Sequence, residues 1–372
     1  MKILYTNFHG GNGGGHDTYI YHLAAGLGSQ YPIAVASPAG SRLSRMVDAL
    51  PGVRVVDMQF KPGWRVFVPE LLRLRRLIEQ SAFDVIHVNG SADHRQVMLA
   101  LAGCRRRPSV VFTKHNTYAA GSVGNLLRAR FATDRTIAVS DYVRAMLERQ
   151  SPYGDITVIK HGVRPPSQAV ERAEIWRRRI EYFGEEGADA IVLGSVAGTA
   201  EYKGWSDLVT ALAQLAPGLR ARFRVILAGD WPSPEQRAFV ERSGVGELIK
   251  FVGPTDRTHD VLATCDVSFV LSYQESLSFA CREAMSMGRA VIVTAVGGLP
   301  ENVRDRVDGW IVPPRSPDAV AAVLLEIAAY PQRIAQMGRA ARARSESEFC
   351  FQRFIDETTS VYHALVRKAA QK

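Results

Sequence analysis

Two glutamates eight residues apart, Glu275 and Glu283, are the side chains with the clearest chemical potential in this sequence. They lie in LSYQESLSFACREAMSMG, where Glu275 follows an apolar run and Ser276 and Ser278 stand where a helix would begin. Serine at a helix start accepts hydrogen bonds from the first backbone N–H groups. Both carboxylates would then reach one cleft, and the N–H groups of residues 277–280 would bind an anion between them. Since carboxylates also accept hydrogen bonds from sugar hydroxyls, the stretch predicts a binding site rather than two unrelated surface acids.

A glycine-rich stretch, HGGNGGGHDTYIYHL, begins at His9 after the first apolar run. It does not match the dinucleotide fingerprint, because the third glycine of G-x-G-x-x-G counted from Gly11 falls on His16. The second predicted strand also ends in Ser37 without an acidic residue, and the phosphate-loop pattern has His16 in place of lysine. We expect instead a loop whose backbone approaches a ligand, with the N–H groups after Gly15 facing an anion or a hydroxyl-rich molecule.

Short β-branched runs alternate with amphipathic stretches along both halves of the chain. This pattern predicts parallel sheets covered by helices on both faces, and therefore an α/β protein with two Rossmann-like domains. The stretch 165–189 opens with a proline pair and then becomes charged, which predicts a linker followed by a helix. Residues 316–372 are expected to be helical with one break near Tyr330 and Pro331. The predicted strands are KILYTN, IAVAS, VRVVDM, DVIHV, SVVFT, TIAVS and ITVIK, then AIVLGSVAG, RVILAGD, IKFVG, VSFVLS, AVIVTA and GWIVP.

Composition and charge restrict the class of protein. A chain of 372 residues with 47% hydrophobic and 22% charged residues is typical of a globular protein of two domains. The four cysteines are far apart, which argues against a zinc site or a disulfide framework and favours a cytoplasmic setting. No leader and no membrane span is predicted. Residues 1–165 contain 21 Lys and Arg against 11 Asp and Glu, whereas the remaining residues contain 25 against 26. The first half is therefore expected to meet an anionic partner.

The order of these motifs resembles that of family 4 glycosyltransferases, over nearly the whole chain. The specific element is the E-x7-E block at Glu275 and Glu283. Weaker motifs occur in the family's order: GGHDTYIYHLAAGL, FDVIHVN, VVFTKHN, IAVSDYVRAML, VIKHGV, YKGWSDLVTAL, RVILAGD and IKFVG. The resemblance implies a GT-B fold, with two Rossmann-like domains facing across a cleft. Residues 1–165 would bind the acceptor and residues 166–350 the nucleotide sugar, and a helix over 351–372 would pack back on the first domain.

The resemblance also implies roles for individual residues. Glu275 would contact hydroxyls of the transferred sugar, and Lys203 would neutralise charge that develops on the diphosphate. His115 would form a hydrogen bond with the sugar near its reacting face. Further donor contacts are implied for Gly14 and Gly15, for the backbone near Val252 at the base, for the amides of Ser276, Leu277, Ser278 and Phe279 at the diphosphate, and for Glu283 at the ribose.

No Asp-x-Asp motif occurs, so no metal and no cofactor is expected beyond the nucleoside-diphosphate sugar, for which UDP-sugars are the expected donors. The resemblance implies retention of anomeric configuration, with the leaving phosphate deprotonating the acceptor hydroxyl. Nucleic acid is not an expected partner, because no helix-turn-helix or aromatic-interleaved basic strand is present. A nicotinamide oxidoreductase is disfavoured by the missing fingerprint.

The sequence departs from the family pattern in the segment GSVAGTAEYK, which lacks the arginine that commonly precedes the lysine. Asn89 stands where a histidine is common, and His161 where an asparagine is common. Two alternatives therefore stay open. One is a non-catalytic relative that binds sugar nucleotides or glycans, and the other is an enzyme like the sugar-nucleotide 2-epimerases.

The stretch FKPGWRVFVPELLRLRRLIEQ places Lys61 and four arginines among aromatic and aliphatic residues. It fits an ordinary core-facing helix with a basic outer face. It also fits a helix that rests on an anionic bilayer with Trp64 and Phe67 at the interface, assisted by CRRRP at 104–108. The second interpretation predicts a peripheral enzyme on the inner face of the cytoplasmic membrane. Its acceptor would be a glycan or a lipid-linked precursor of lipopolysaccharide or another cell-surface polysaccharide.

Overall fold

The computed structural model describes residues 1–11, 13–61, 63–165 and 170–371. The chain forms two compact units, the first made of Met1–His161 and Phe351–Lys372 and the second of Gly162–Cys350. Each unit is a parallel sheet with helices, so the predicted pair of Rossmann-like domains is confirmed. The linker predicted from Pro165 falls largely on residues 166–169, which lie outside the described residues.

All thirteen predicted strands are present, each within a residue or two of the predicted start. The strands are β1 (Ile3–Thr6), β2 (Ile33–Ser37), β3 (Val53–Asp57), β4 (Val85–Val88), β5 (Ser109–Lys114), β6 (Arg135–Ala138), β7 (Ile156–Val158), β8 (Ile191–Ser195), β9 (Phe223–Ala228), β10 (Ile249–Gly253), β11 (Val267–Val270), β12 (Ala290–Thr294) and β13 (Gly309–Val312).

The helices connect these strands and extend past the last of them. They are α1 (Gly15–Leu27), α2 (Arg42–Asp48), α3 (Trp64–Ser81), α4 (Ser91–Leu101), α5 (Val123–Ala132), α6 (Asp141–Gln150), α7 (Arg172–Ala188), α8 (Trp205–Gln214), α9 (Pro217–Arg220), α10 (Pro234–Arg242), α11 (Thr258–Thr264), α12 (Phe279–Ser286), α13 (Pro317–Ala329), α14 (Gln332–Glu348) and α15 (Phe351–Ala370). A 3₁₀ turn, Glu201–Lys203, precedes α8.

The sheet of the first unit has the strand order β3-β2-β1-β4-β5-β6-β7, and every neighbouring pair is parallel. Its central strand β1 pairs with β2 on one side and with β4 on the other, so that Leu4 lies between Ala34 and Ile86. Strands β1 to β3 follow one another toward one edge of the sheet and strands β4 to β7 toward the other, so the strand order reverses between β1 and β4. In open α/β sheets, ligands bind at the carboxyl ends of the strands beside such a reversal.

The second unit repeats this plan with the strand order β10-β9-β8-β11-β12-β13. Its reversal lies between β8 and β11, where Leu193 pairs with Val267. Large buried side chains such as Trp205, Phe269 and Trp310 fill one side of the sheet. The loops after β8 and β11 therefore begin beside each other at one edge of this sheet.

The helix α15 belongs to the core of the first unit. The hydroxyl of Tyr362 lies 2.5 Å from Nδ1 of the buried His87 and 3.3 Å from the hydroxyl of Tyr5. A Cβ on Gly26 of α1 would come within 2.5 Å of Cδ1 of Ile355, so the two helices are in close contact.

The prediction of a single break after residue 316 was wrong, because the helical stretch breaks a second time at Phe349 and Cys350. There the N–H of Val163 donates to the carbonyl of Phe349, and Val163 pairs with Cys350 as a short parallel bridge. These backbone contacts with a distant segment replace helical hydrogen bonds, and no local sequence pattern reports them.

Candidate active site

The loop between β11 and α12 carries Glu275 and ends at Ser278, whose hydroxyl accepts a hydrogen bond from the Cys281 N–H at 3.3 Å. Ser278 has φ of +84°, in a region that residues with a Cβ rarely adopt. Such strain persists where the surrounding structure enforces it, often at ligand sites. The helix starts at Phe279, so Glu283 lies in its second turn, as the sequence predicts.

The four amides expected at the diphosphate are not equivalent. The N–H of Ser276 donates to Oε1 of Glu275 at 3.2 Å, so this amide orients the carboxylate. Leu277 is buried, whereas Phe279 opens the helix proper. The segment 276–279 therefore joins the carboxylate of Glu275 to the amino-terminal end of α12.

Lys203 and Glu275 form an ion pair, with 3.0 Å between Nζ and Oε2. Lys203 is the last residue of the 3₁₀ turn after β8, and Glu275 follows β11, the neighbouring strand. Both side chains are mostly buried, at 16% and 15% exposure. Burial is the largest single effect and acts to lower the pKa of Lys203, but the charges of Glu275 and Tyr202 and the hydrogen bonds to both side chains together outweigh it, so the pKa is raised. The ammonium is therefore a fixed positive charge at the reversal point of this sheet.

Two glycines shape the backbone around this ion pair. Gly204, directly after Lys203, has φ of +66°, and a Cβ there would lie 2.0 Å from the carbonyl oxygen of Leu271. Gly297, with φ of +54°, passes so close to Glu275 that a Cβ would lie 1.7 Å from its carbonyl oxygen. Only glycine fits either position, because both the φ value and the close approach exclude a side chain.

Arg282 and Asn302 are buried residues that support the loop of Glu275, and the sequence analysis missed both. Nε of Arg282 donates to Oδ1 of Asn302 at 2.8 Å, and Nδ2 of Asn302 donates to the carbonyl of Leu277. The guanidinium also lies 4.0 Å from the ring centre of Phe349, and burial lowers the pKa of Arg282 to about 9. Together they hold the loop that carries Glu275 against α12. The sequence could have pointed to both residues, because Arg282 lies inside the E-x7-E block and Asn302 inside the stretch GGLPENV.

Val252 lies on β10, the outermost strand, three strand positions from β11. At the usual spacing of parallel strands this is a separation of roughly 14 Å. Val252 lines a cavity of about 350 Å³ together with Tyr182 and Arg257. Beside it, Gly253 packs so closely against the exposed Trp231 that a Cβ would lie 2.5 Å from the indole ring. Val252 is thus near an aromatic surface but is not in direct contact with the Lys203–Glu275 pair.

In the first unit, His115 follows β5 and Asn89 follows β4. The amide Nδ2 of Asn89 donates to the carbonyls of Thr6 and His87, so its Oδ1 is left to accept from Nε2–H of His115, at 2.9 Å. Burial lowers the pKa of His115 well below 6.5, and the neighbouring histidine His16 adds to this effect. The imidazole is therefore neutral, with its Nδ1 in the acceptor form.

The glycine loop of the first unit is held by Asp17, which sequence reasoning did not single out. The carboxylate of Asp17 accepts from the Gly13 N–H and from Nδ2 of Asn7, both at 2.7 Å. Gly14 has φ of +55°, and a Cβ there would meet nothing within 4 Å, so its backbone stays open to approach. Gly15 begins α1. Asn12, which belongs to the same loop, lies outside the described residues.

The predicted residues thus fall in two groups. Gly14, Gly15 and His115 lie at the carboxyl edge of the first sheet, and the other eight lie in the second unit. Within the residues that the structure describes, no three His, Cys, Asp or Glu side chains are arranged to hold a metal ion.

Two family models match the chain. A model described as Glycosyltransferase Family 4 matches residues 13–165, and one described as Glycosyl transferases group 1 matches residues 189–329. The D-inositol 3-phosphate glycosyltransferase of Kribbella flavida is 28% identical, over 89% of this chain and 86% of the relative. The protein of the same name from Streptomyces griseus is 34% identical, but the match spans only 42% of this chain and about a third of that relative.

Solved structures match over almost the full length. Anabaena Alr3699/HepE in complex with UDP and glucose has a TM-score of 0.85 and 21% identity, covering 97% of this chain and 99% of that one. WaaG, a glycosyltransferase involved in lipopolysaccharide biosynthesis, has a TM-score of 0.77 and 14% identity, with the same coverage. At these identities the likeness concerns the fold, and the GT-B fold expected from the sequence is confirmed.

Proposed function

This chain belongs to glycosyltransferase family 4, and on that premise we propose that it moves a sugar from a nucleoside-diphosphate sugar, with UDP as the nucleotide, to an acceptor hydroxyl. The observation that carries the proposal is the buried Lys203–Glu275 ion pair at the amino-terminal end of α12. It supplies a cation for the diphosphate and a carboxylate for sugar hydroxyls at one point of the sheet. HepE, which has the same fold, is described with UDP, with UDP and glucose, and with UDP-glucose.

We assign the donor contacts along the carboxyl edge of the second sheet. The diphosphate lies between Lys203 and the backbone of residues 276–279, where the helix N-terminus favours negative charge. Glu283 binds the ribose, and the base lies toward Val252 and Trp231. The separation of roughly 14 Å between β10 and β11 suits the extended length of a nucleoside diphosphate.

In the proposed reaction, the bond between the anomeric carbon and the diphosphate oxygen breaks while the acceptor oxygen bonds to the same face of the sugar. The acceptor proton passes to the leaving phosphate oxygen, and the configuration is retained. Lys203 stabilises the negative charge that develops on this oxygen, so no metal ion is required.

We assign the acceptor to the first unit, near the backbone of Gly14 and the neutral imidazole of His115. Because the N–H at Nε2 of His115 is donated to Asn89, the Nδ1 atom is the one that can accept a hydrogen bond from an acceptor hydroxyl. A glycan or lipid-linked precursor of a cell-surface polysaccharide fits a hydroxyl-bearing acceptor beside a basic lobe. A phosphorylated polyol is the second candidate acceptor, because the relatives quoted above are named for inositol 3-phosphate.

The decisive experiment is calorimetric titration with UDP, GDP and ADP, in the presence and absence of EDTA. We expect UDP to bind more tightly than the other two nucleotides and EDTA to leave its affinity unchanged. Glu283→Gln should weaken UDP binding, whereas Glu241→Gln, a change at an exposed position of α10, should not. If no nucleoside diphosphate binds at millimolar concentration, the proposed function is wrong.

A further inference from the structure

The outer face of α5 is apolar. Val123, Leu126, Leu127 and Phe131 are 73%, 54%, 43% and 60% exposed, although their spacing is the one that a helix normally turns toward the core. A contiguous exposed apolar surface of this kind marks an interaction site, whereas single exposed residues do not.

The inner side of α5 carries its polar groups instead. The guanidinium of the buried Arg128 donates to Oδ1 of Asn125, which also accepts from the hydroxyl of Tyr153 at 3.2 Å. These bonds fix the rotation of the helix about its axis. Its apolar stripe therefore points away from the first unit.

Helix α4 packs against both α3 and α5, so the three helices form one layer on the sheet. At the start of α3, Trp64 and Val68 are also exposed, at 82% and 58%. In parallel α/β units each helix begins at the carboxyl edge of the sheet, so these residues and Val123 border the edge where His115 lies. We call Trp64, Val68, Val123, Leu126, Leu127 and Phe131 the α3–α5 face.

The α3–α5 face differs from the stretch expected from the sequence. Phe60, Leu74 and Ile78 are buried and belong to the core, and Arg75 pairs with Glu79 and with backbone carbonyls. Trp64 of α3 is exposed, as the bilayer interpretation of that stretch expects, but the four exposed apolar side chains of α5 lie in a helix that the sequence analysis did not consider. Among the described residues, arginines of this layer without an ion-pair partner are Arg65, Arg76, Arg95, Arg105 and Arg130.

We propose that the α3–α5 face docks on an anionic lipid bilayer. Apolar side chains flanked by arginines match an interface in which acyl chains lie beneath negative headgroups. Helix α5 contains no acidic residue, and the single acid of α4, Asp93, is buried. A second copy of the chain, packed face to face, would bring these arginines against one another, so it is the weaker candidate. No helix in the described ranges is long and apolar enough to span a membrane, so the contact proposed is a surface one.

Sedimentation with vesicles of phosphatidylcholine and increasing phosphatidylglycerol tests this proposal. Binding of the full chain should rise with phosphatidylglycerol and fall with salt. Leu126→Ser combined with Phe131→Ser should lower the partition coefficient about tenfold or more, because two apolar contacts with the acyl chains are lost. Arg76→Glu combined with Arg130→Glu should lower it about fivefold for each arginine removed.

The matched control is Leu325→Ser combined with Tyr330→Ser, at positions of similar exposure in the second unit. It should bind vesicles like the unchanged protein. Equal vesicle binding by the unchanged protein and both test variants would overturn the proposal. So would a dimer, seen in sedimentation velocity without lipid, that the Leu126 and Phe131 changes dissociate. Neither readout requires donor binding or turnover, so this failure is distinct from failure of the proposed function.

Discussion

At the scale of the residue, the Lys203–Glu275 ion pair means that each of the two side chains is held in position by the other. In the proposed donor complex, the diphosphate would share the ammonium of Lys203 with the carboxylate of Glu275. Because Glu275 keeps the ammonium of Lys203 protonated and in place, the proposed reaction would require little rearrangement when charge develops on the leaving group.

Replacement of the two glutamates should give different results if the proposed donor contacts are right. Glu275→Ala should lower kcat/KM by an amount that corresponds to a loss of about 2–4 kcal/mol of transition-state stabilisation, while UDP still binds. Glu283→Ala should weaken UDP binding itself, because its proposed partner is the ribose. Calorimetry with UDP and steady-state kinetics distinguish the two, and Lys203→Ala should resemble Glu275→Ala in rate. Normal binding and turnover by both glutamate variants would contradict the assignment.

Site contacts between residues that are close together in the sequence were predictable here. Contacts between residues that only the fold brings together were not. Glu275, Ser278 and Glu283 share one strand-to-helix segment, so their types and spacing are informative. Arg282 contacts Asn302, twenty residues further on, and nothing in either local sequence predicts that hydrogen bond. Asp17 is similar, since its role depends on Asn7 and on the backbone of Gly13.

At the scale of the element, the position of the loop before α12 depends on the turn after β12, where the backbone of Gly297 packs against the carbonyl of Glu275. Gly297→Ala should shift the loop that carries Glu275, because the new Cβ would lie 1.7 Å from that oxygen. We expect a loss of about 1–3 kcal/mol in the free energy of unfolding, together with a fall in kcat. Thermal unfolding and kinetics measure both quantities.

The matched control for that substitution is Gly218→Ala in α9, where a Cβ would meet nothing within 4 Å. This variant should be at least as stable as the unchanged protein, because alanine favours a helix over glycine. Equal stability and turnover of the two alanine variants would show that the close approach at Gly297 does not position Glu275.

Element types were predictable because the strands are short β-branched runs and the parallel plan buries them on both faces. The orientation of α5 was not. Its apolar residues recur at helical spacing, which normally indicates a core-facing side, but in the structure the Arg128–Asn125–Tyr153 hydrogen bonds lie on the inner side of the helix instead. The local sequence does not show the break at Phe349, since its partner Val163 is far away in the sequence, and only the family resemblance placed a boundary between residues 350 and 351.

At the scale of the whole molecule, the two units should respond differently to acid. Among the described residues of the first unit, burial lowers the pKa of five histidines, and the pKa values of His16, His87 and His94 fall to about 3. The other two are His9 and His115, while in the second unit only His259 shows such a shift among the described residues.

Because these native pKa values lie below the usual 6.5, the unfolded chain binds more protons and stability decreases as the pH falls below about 6.5. The expected cost at pH 5 is about 2 kcal/mol for each fully buried histidine such as His87. The raised pKa values of Asp17 and Asp93 act to increase stability as the pH falls, but they concern two groups, whereas the lowered pKa values concern five. Hydrogen exchange at pH 7.5 and 5 should therefore show loss of protection first in the first unit. Earlier loss in the second unit would contradict this expectation.

The packing of α15 against α1 and His87 has a consequence for the order in which the protein matures on the ribosome. Residues 1–161 are synthesised first, yet their core lacks Tyr362 and Ile355 until translation has passed position 370. The second unit is a single continuous segment, Gly162–Cys350, so it can complete its folding while the first unit still lacks α15. The first unit would thus reach its native state after the second, although residues 1–161 are translated before it. A nascent chain stalled before Phe351 would expose the apolar surface of α1 to chaperones.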